Sequence, residues 1–579
     1  MDRIGGLMAA LERFYVHARD LPAEVTPTTP AEGIGMRGAP AVDDGLSQGA
    51  SFASDEAAAR YYLSRALSAD ERAGVRAMTG LSRRGRVPDL RPVSPEPLVL
   101  PGTQNRLVRF EQTFHGIPIY GGHATCELAH RRGFVSASGN VGPVEGVSSF
   151  SSIDQRDALD AIAKFAVVDP ATLRDVAPGR PHFFNDAHQE WHLAFLFEDM
   201  PAAPEGTTPP VTPMDDSDST RSLQPLVDYL VDAHSAEVLH YFGATPTALS
   251  APPIPVHGTG VSEDGVVETL WGRMVGTEFE LSDPSRELET FDLAGGNIYM
   301  AALTDPYRAP NGNLGQTSKA VVSAHSNSTK VFDFFNVVLQ RDSVDNAGMP
   351  LINVVNCTDG QGAAWANAQW WKHQMWYGQS PAPGGAMVSF ARYLDILAHE
   401  LTHGVTETSS DLEYRDQSGA LNESFSDIFA IVIKNWYAFP PQGGHFGQWD
   451  WEIGPGLRPN GLPLRDLSDP TVTGHPAHMA NYMETSKDWG GVHINSNIHN
   501  NAAWHTMMAT DGTGAYAFTP LEIALLYYHT LVRLGRQDGF KEVRAELIQA
   551  ASSIYAADAA QLNANVAHIK AAYAKVGIV

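Results

Sequence analysis

The chain has 579 residues, which is too long for a single hydrophobic core and predicts roughly three to five domains. Its 43% hydrophobic and 18% charged residues are typical of globular proteins. The formal net charge of −26 argues against nucleic acids and anionic membranes as partners, and no apolar run is long enough to span a bilayer.

The N-terminus lacks the pattern of a secretory signal peptide, because Glu12 and Arg13 interrupt the apolar segment early. The spacing of Ile4, Leu7, Met8 and Leu11 predicts one face of an amphipathic helix instead. Residues 1–55, with many Pro, Gly, Ala and Ser, are assigned to a flexible leader. Export by the usual route is therefore not visible in the sequence.

A strand-rich module is predicted at residues 56–150. Val108, Phe110 and Phe114 fall on one side of a strand, and the sequence after it predicts a hairpin with its turn near Arg132. A second module of mixed helix and strand is expected to follow it.

This second module covers residues 151–245. It combines a helix at 154–166 with strands at 190–197 and 226–242. The stretch 201–220 is rich in Pro and Asp and predicts an exposed loop.

Residues 246–258 are rich in Pro and small residues and predict a junction. Beyond it, short strands and many turns are expected up to about residue 359, with one helical segment around 330–339, and helices dominate from Phe390. The two cysteines, Cys126 and Cys357, fall in different predicted domains, so we expect two buried thiols and no disulfide framework. The fold class predicted is a multidomain α+β protein.

The stretch LAHELTHGV, from Leu397 to Val405, has the spacing of a metal-binding helix. His399 and His403 lie four residues apart, so both imidazoles project from one face and can reach the same ion. Glu400 follows the first histidine and has the position of a general base. Because HExxH arises by chance in such a chain with odds on the order of a few per cent, a third ligand is needed.

A second helix is predicted at 418–433, where Glu423 and Asp427 share the polar face. Glu423 is the candidate third ligand, and Asp427 could accept the second ring proton of a ligand histidine. An ordinary solvated acidic face explains the same pair equally well. Further on, His493 follows a Gly-Gly turn with Asp488 five residues before it, which suits a loop histidine that donates to an oxyanion.

HELTH, GALNESFSDIF and GGVHINS, in that order, resemble the thermolysin family of zinc metalloendopeptidases. The resemblance extends over Val256–Val579 and includes Asn367–Gly378, which is similar to the family's substrate-edge strand. It implies a β-rich lobe at 259–405 and a helical lobe at 406–579, with the HELTH helix at the floor of the cleft between them.

The resemblance also implies a role for each site residue. The metal and catalytic residues would be His399, His403 and Glu423 around one Zn²⁺, Asn422 and Asp427 supporting the histidines, Glu400 as the base, Tyr414 and His493 as oxyanion donors, and Asp488 as the partner of His493. Substrate would contact Asn367, the Ala368 carbonyl, Arg465, and an apolar pocket of Met387, Phe390, Ile396 and Leu464. Such a pocket predicts cleavage before Leu, Phe or Ile.

Calcium is the second metal that the resemblance implies, with Asp395, Asp450 and Glu452 matching its ligands. Lys434 and Pro455 stand where glutamates are usual. Our hypothesis is that the Lys434 ammonium replaces one cation of a double site, while the alternative is an ordinary surface lysine. Dependence on calcium is then expected to be weak.

The front half resembles the family's propeptide, so we expect a proenzyme that its own propeptide inhibits. The cut is expected within Ala251–Gly258, where prolines and small residues keep the backbone exposed. The expected partners are protein or peptide substrates and the propeptide, with no nucleic acid and no membrane span, and the enzyme is expected to be a monomer.

Three alternatives were weighed. A zinc aminopeptidase would need a GAMEN motif, but Val388 and Ser389 stand where its Glu and Asn are required. A zinc-binding pseudoenzyme would keep the fold as an interaction module. An intracellular or effector-type peptidase with a narrow substrate would fit the missing signal peptide. The location is therefore open: the resemblance implies an extracellular enzyme, whereas the N-terminus favours the cytoplasm or non-standard export.

Overall fold

A computed structural model describes residues 12–17, 52–68, 89–201, 226–243 and 256–579, with short gaps at 95–96, 143, 145, 174–175, 187–189, 299–302, 311, 316–317, 360–363, 382–386 and 459. Two compact units divide the chain. The first consists of Met1–Met200, Asp228–Tyr241 and Ser552–Ile554, and the second of Pro201–Val227, Phe242–Ala551 and Tyr555–Val579.

The front half of the chain, within the described residues, contains one ten-stranded sheet and two α-helices. Its strands are β1 (Glu12–His17), β2 (Asp89–Pro92), β3 (Leu98–Leu100), β4 (Asn105–Phe114), β5 (Ile117–Leu128), β6 (Phe134–Val141), β7 (Arg180–Asn185), β8 (Trp191–Pro201), β9 (Leu226–Asp232) and β10 (Val238–Gly243), and its helices are α1 (Asp55–Ser68) and α2 (Gln155–Ala166). The sheet order is β1-β6-β5-β7-β8-β9-β10, with β4 beside β5 and both β2 and β3 beside β4. Strands from both predicted front modules therefore share a sheet, joined by the parallel pairing of β5 with β7.

Most elements predicted in the front half are confirmed. The β5–β6 hairpin turns at Arg132, which has a left-handed φ of 64°. Helix α2 begins after Asp154, whose carboxylate accepts the backbone N–H groups of Arg156 and Asp157 and so caps the helix. Of the three apolar residues expected on one side of β4, two are buried and Phe114 is partly buried.

The prediction of a flexible leader is wrong for Glu12–His17. These residues form β1, which pairs antiparallel with β6 and buries Phe14 and Val16 in the core. The apolar spacing at 4–11, the Pro-rich loop beyond Pro201 and most of the junction lie outside the described residues.

The back half contains fourteen strands and seven α-helices among its described residues. The strands are β11 (Val256–Val261), β12 (Val267–Val275), β13 (Glu278–Glu280), β14 (Ser282–Asp283), β15 (Leu288–Asp292), β16 (Arg308–Pro310), β17 (Asn313–Gly315), β18 (Leu351–Val355), β19 (Ala368–Trp371), β20 (Gln374–Tyr377), β21 (Gln379–Pro381), β22 (Met387–Ser389), β23 (Glu452–Ile453) and β24 (Arg465–Asp466). The helices are α3 (Lys319–Asp333), α4 (Leu394–Glu407), α5 (Asp416–Ala438), α6 (Asp488–Met507), α7 (Pro520–Leu531), α8 (Phe540–Ile554) and α9 (Ala559–Lys575).

The β-rich part of this half has two five-stranded sheets, ordered β16-β13-β12-β11-β17 and β14-β15-β18-β20-β19. Strand β19 therefore forms one edge of the second sheet. The helix expected at 330–339 starts earlier, at Lys319, and continues into a π-helical turn at Phe334–Val338. Its first part was missed because polar residues such as Ser323 and Asn327 are buried there and mask the apolar periodicity.

The helical part has α5 at its centre, and this helix is buried along nearly its whole length. The predicted fold class, a β-rich region followed by a helical region, is confirmed. Cys126 and Cys357 are free and buried, as expected. Among the described residues no helix is both long and apolar enough to cross a bilayer.

Candidate active site

Two histidines of α4 and one glutamate of α5 bring three ligand atoms together. The Nε2 atoms of His399 and His403 lie 3.1 Å apart, and the Glu423 carboxylate oxygens lie 3.4 and 3.5 Å from them. A tetrahedral zinc site with bonds of about 2.0–2.1 Å separates its ligand atoms by about 3.3 Å, so the spacing fits one Zn²⁺. Glu423 Oε2 is buried and has no hydrogen-bond partner in the described part of the chain, which also suits a metal ligand.

The other ring nitrogen of each histidine is already engaged. His399 Nδ1 lies 2.9 Å from Asp427 Oδ1, and His403 Nδ1 lies 2.8 Å from Asn422 Oδ1. Both partners accept, so each ring carries its proton on Nδ1 and leaves the Nε2 lone pair facing the other two ligands. The orientation of the rings thus does not depend on the metal.

Asp427 is fully buried and pairs with the buried guanidinium of Arg465 through two contacts of 2.7 Å. Burial alone would raise the pKa of Asp427, but Arg465 and the hydrogen bond from His399 lower it to about 2. Asp427 therefore stays ionised and keeps the Nδ1 proton of His399 in place.

Glu400 lies on α4, one residue after the first ligand. Its Oε2 accepts the backbone N–H of Trp370 at 2.8 Å, and burial raises the pKa of its carboxyl to about 7. Trp370 belongs to the edge strand β19, which begins at Ala368 directly after Asn367. The outer edge of this strand is suited to pair with an extended peptide.

His493 lies in α6, so its expected place in a loop is wrong. The residues just before it, Trp489 to Gly491, have left-handed φ angles between 51° and 92°, and a Cβ at Gly490 would lie 2.0 Å from Asp416 Oδ1. Glycine is needed there, and this tight turn places Asp488 at the His493 ring rather than further along the chain.

The imidazole of His493 bridges Asp488 and the metal ligands. Its Nδ1 lies 2.5 Å from Asp488 Oδ1, and its Nε2 lies 3.2 Å from the Tyr414 hydroxyl and 3.4 Å from Glu423 Oε1. The Tyr414 hydroxyl also donates to Glu423. Burial lowers the pKa of His493, but Asp488 and Glu423 raise it to about 9, so its ring is a charged donor at neutral pH.

Two of the predicted pocket residues, Phe390 and Ile396, are buried, and Leu464 is partly buried. Met387 differs, because 43% of its surface is exposed. It lines a cavity of about 510 Å³ together with polar residues such as Gln379.

The predicted calcium ligands surround Lys434. Its Nζ lies 2.6 Å from Asp450 Oδ2, 3.4 Å from Asp395 Oδ2 and 2.9 Å from the backbone carbonyl of Glu452. Burial lowers the pKa of Lys434, but the two aspartates raise it above its ordinary value. Lys434 and Asp395 line a second cavity of about 520 Å³, and Pro455 lines it as well.

Sequence reasoning missed several partners of the site. Asn500 donates to Asp427 Oδ2 at 2.7 Å, and Glu407 contacts Trp370 Nε1 at 3.0 Å and His373 Nε2 at 2.8 Å. Asn500 lies seven residues after His493, two helical turns along α6, and this spacing could have been noticed. Contacts between Glu407 and β19 leave no signal in the sequence.

Comparisons with known proteins identify the family of the chain. Residues 257–407 match the catalytic domain of the thermolysin metallopeptidases, and residues 410–578 match their alpha-helical domain. Neutral protease B of Bacillus subtilis (strain 168) is 28% identical over 506 residues, which is 83% of each chain. Neutral protease NprE of Bacillus pumilus is 35% identical over 268 residues, 45% of this chain and 78% of its own. A solved precursor of protealysin, a metalloproteinase from Serratia proteamaculans, is 28% identical, covers 50% of this chain and 87% of its own, and has a TM-score of 0.42.

The two matched regions and the two neutral proteases define the class as a metal-dependent peptidase, a hydrolase. The chain belongs to the thermolysin family of zinc metalloendopeptidases. The resemblance found in the sequence is thereby confirmed.

The buried pair of Asp427 and Arg465 predicts a large loss of stability in Asp427→Ala, because Arg465 would remain buried without its counter-charge. We expect the free energy of unfolding to fall by roughly 3–5 kcal/mol. Asp264→Ala is the matched control, since it breaks the more exposed pair with Arg392 and should cost no more than about 1 kcal/mol. Urea unfolding of both variants in the presence of a chelator measures the difference. Equal losses would contradict the prediction.

Proposed function

We propose that the chain is the precursor of a zinc-dependent endopeptidase that cleaves proteins before bulky apolar residues. The observation that carries this proposal is the convergence of three ligand atoms, from His399, His403 and Glu423, at the spacing of one Zn²⁺. Glu400 and His493 flank the same point, so the base and an oxyanion donor stand beside the metal site.

Zinc held by His399, His403 and Glu423 would supply Lewis-acid chemistry for the scissile carbonyl and would lower the pKa of a water molecule to about 7. Glu400 takes the proton of the attacking water and passes it to the leaving nitrogen. Its pKa of about 7 suits both steps, because the carboxyl can hold and release a proton near neutral pH. Its hydrogen bond from Trp370 N–H holds the carboxylate beside the edge strand.

His493 and Tyr414 are proposed to stabilise the negative oxygen that develops on the substrate. Their polar atoms lie 3.2 Å apart on the same side of Glu423, so one oxygen can accept from both. Asp488 holds the proton of His493 on Nδ1 and favours the charged ring. Asn422 and Asp427 keep the ligand histidines oriented.

The proposed substrate lies extended along β19, where Asn367 and the Ala368 carbonyl align its backbone. Arg465 binds the carbonyl just past the cleaved bond while Asp427 fixes its guanidinium. The side chain after that bond is proposed to enter an apolar pocket of Met387, Phe390, Ile396 and Leu464, of which Phe390 and Ile396 are buried.

The front half is proposed to be a propeptide, as the organisation of the chain suggests: a leader at 1–55, modules at 56–150 and 151–245, a junction at 246–258, and the catalytic lobes at 259–405 and 406–579. A compact unit that consists mostly of residues ahead of the β-rich lobe suits a folding aid, because non-local strand pairing is slow.

The position of the proposed cut is narrowed by β11. Val256, His257 and Gly258 are already paired with β12, and a protease cannot easily extract a paired strand. We therefore place the cut in the first part of the window, between residues 251 and 255.

Lys434 is proposed to replace one calcium ion. The ammonium lies among oxygen atoms from Asp395, Asp450 and Glu452, which is the environment that a cation would occupy. An ordinary surface lysine would not be held by three oxygens beside a buried aspartate. No observation favours the pseudoenzyme alternative, because the proposed base and oxyanion donors all surround the ligand triad.

Glu400→Gln should lower turnover by on the order of 10²–10⁴-fold or more, because the amide cannot take a proton. The amide oxygen can still accept from Trp370, and the zinc ligands are untouched, so one zinc ion per chain should remain bound. Casein hydrolysis and metal analysis measure both. The control is Glu484→Gln at an exposed position, which should stay active. Full activity of the Glu400 variant would rule out the proposed base.

A peptide library cleaved by the mature enzyme should yield new N-termini that are mainly Leu, Phe or Ile, because the proposed pocket is apolar. Mass spectrometry of the products gives the distribution. Cleavage mainly after acidic or before basic residues would contradict the pocket assignment.

The active form should begin between residues 252 and 255, as read by N-terminal sequencing. The Glu400→Gln precursor should remain at its full mass of 62.6 kDa if the cut is made by the enzyme itself. An intact wild-type chain with full activity would count against the zymogen proposal.

Calcium should have little effect on the melting temperature of the wild type at the Lys434 site, because an ammonium already occupies it. Lys434→Glu should restore a calcium-dependent rise of a few degrees, roughly 2–4 °C per kcal/mol of binding, whereas Lys434→Met should lower stability without a calcium response. Calorimetric titration that finds two tight calcium sites beside α5 in the wild type would refute the replacement.

A further inference from the structure

A line of buried polar side chains runs from the last helix to the metal site. It crosses α9, α6, α5 and α4, and its members are Tyr573, His499, Ser424, Asn500, Asp427 and finally the ligand His399. The successive contacts are Tyr573 Oη to His499 Nε2 at 2.7 Å, His499 Nδ1 to Ser424 Oγ at 2.7 Å, Ser424 Oγ to Asn500 Oδ1 at 2.6 Å, and Asn500 Nδ2 to Asp427 Oδ2 at 2.7 Å. The first five of these residues are fully buried.

The chemistry of the members fixes the direction of every bond in the line. Both carboxylate oxygens of Asp427 accept from the Arg465 guanidinium, so Asn500 turns its amide N–H groups towards Asp427 and its carbonyl towards Ser424. That carbonyl also only accepts, so Ser424 donates its single O–H to Asn500. The Ser424 oxygen is then left to accept from His499.

His499 therefore carries its proton on Nδ1, and its Nε2 accepts from the Tyr573 hydroxyl. Burial lowers the pKa of His499 to about 3, so the ring is neutral and has one N–H only. Aromatic rings, among them Phe425, Tyr527 and Phe540, surround it. All protons of the line thus point towards Asp427, an arrangement in which each bond polarises the next.

We propose that Ser424, His499, Tyr573 and Asn500 are positioning residues that hold the Asp427 carboxylate, and through it the His399 ring, in the geometry that binds the metal. The critical point is the amide of Asn500, which could turn by 180° and bring its oxygen against the carboxylate. Ser424 prevents this, because its donated proton stabilises only the orientation with the carbonyl on the far side. This inference rests on the proposed role of His399 as a zinc ligand.

Ser424→Ala removes the only hydroxyl in the middle of the line. The zinc dissociation constant of this variant should rise roughly 3- to 10-fold, because Ser424 acts on the metal ligand only through Asn500 and Asp427, and direct partners of metal ligands typically contribute about 10-fold or more. The kcat should fall by a similar factor, and KM should stay unchanged. Ser418→Ala is the matched control, a hydroxyl deletion in the same helix whose oxygen contacts only the start of that helix. It should leave both quantities unchanged.

Histidine tautomers provide a readout that activity does not influence. In the zinc-loaded full chain carrying Glu400→Gln, ¹⁵N-histidine NMR should show His499 neutral with its proton on Nδ1. Adding Ser424→Ala should move that proton to Nε2, where Tyr573 can accept it. A wild-type proton on Nε2 would overturn the assigned direction.

Equal zinc dissociation constants in Ser424→Ala and Ser418→Ala would overturn the positioning role. If Ser424→Ala does not fold, Tyr573→Phe decides instead, because it keeps the ring in α9, removes the last donor and should weaken zinc binding to a smaller degree; unchanged binding would overturn the proposal. A wild type that binds no zinc would instead refute the proposed function itself, so the two failures are distinguishable.

Discussion

The site depends on one buried carboxylate. Asp427 lies on α5 and accepts from His399 on α4, Arg465 on β24 and Asn500 on α6, so it links all the elements that carry or flank the metal ligands. A buried carboxylate is stable only when its charge is neutralised and its oxygens accept hydrogen bonds. Arg465 neutralises the charge of Asp427, and the N–H groups of Arg465, His399 and Asn500 donate to its oxygens. The relative rotation of α4 and α5 is thereby fixed, and with it the direction of the ligand atoms.

Helix α4 is positioned at both ends by hydrogen bonds to side chains of neighbouring elements. Before its first turn, Asn327 of α3 donates to the carbonyls of Ala391 and Arg392 at 3.0 and 3.2 Å. Near its last turn, Gly404 lets Trp370 approach so closely that a Cβ would lie 2.7 Å from the indole, and Glu407 engages that indole N–H. The helix that carries the ligands and the strand proposed to carry substrate are therefore positioned together.

Helices α3 and α5 both bury polar groups, and those of α3 explain why its first part was not predicted. Ser323, His325 and Ser328 are buried in α3, and Ser424 and Ser426 are buried in α5, each with a hydrogen-bond partner. Such residues contribute less to stability than apolar ones of the same size, but they specify one packing arrangement when all their bonds are made. In α3 they also hide the apolar periodicity by which a helix is recognised.

The sequence by itself determined the class, the order of elements and the local chemistry. HELTH puts His399 and His403 on one helix face whatever the surroundings, and Glu423 lies on a second helix whose apolar spacing is clear, because these patterns depend on helical geometry alone. The β5–β6 hairpin and the capped helix α2 are local in the same way, and both were predictable.

Only the tertiary structure decided which polar groups meet across the chain. Asn500 and Asp427 are 73 residues apart, and Glu407 and Trp370 are 37 apart, so no local pattern could pair them. The same holds for β1, whose six residues became a strand because β6 offered an edge and a core for Phe14 and Val16. Long-range contacts of this kind arise from packing. Packing excludes water, so each buried polar group must find a hydrogen-bond partner within the protein and each buried charge must find a counter-charge.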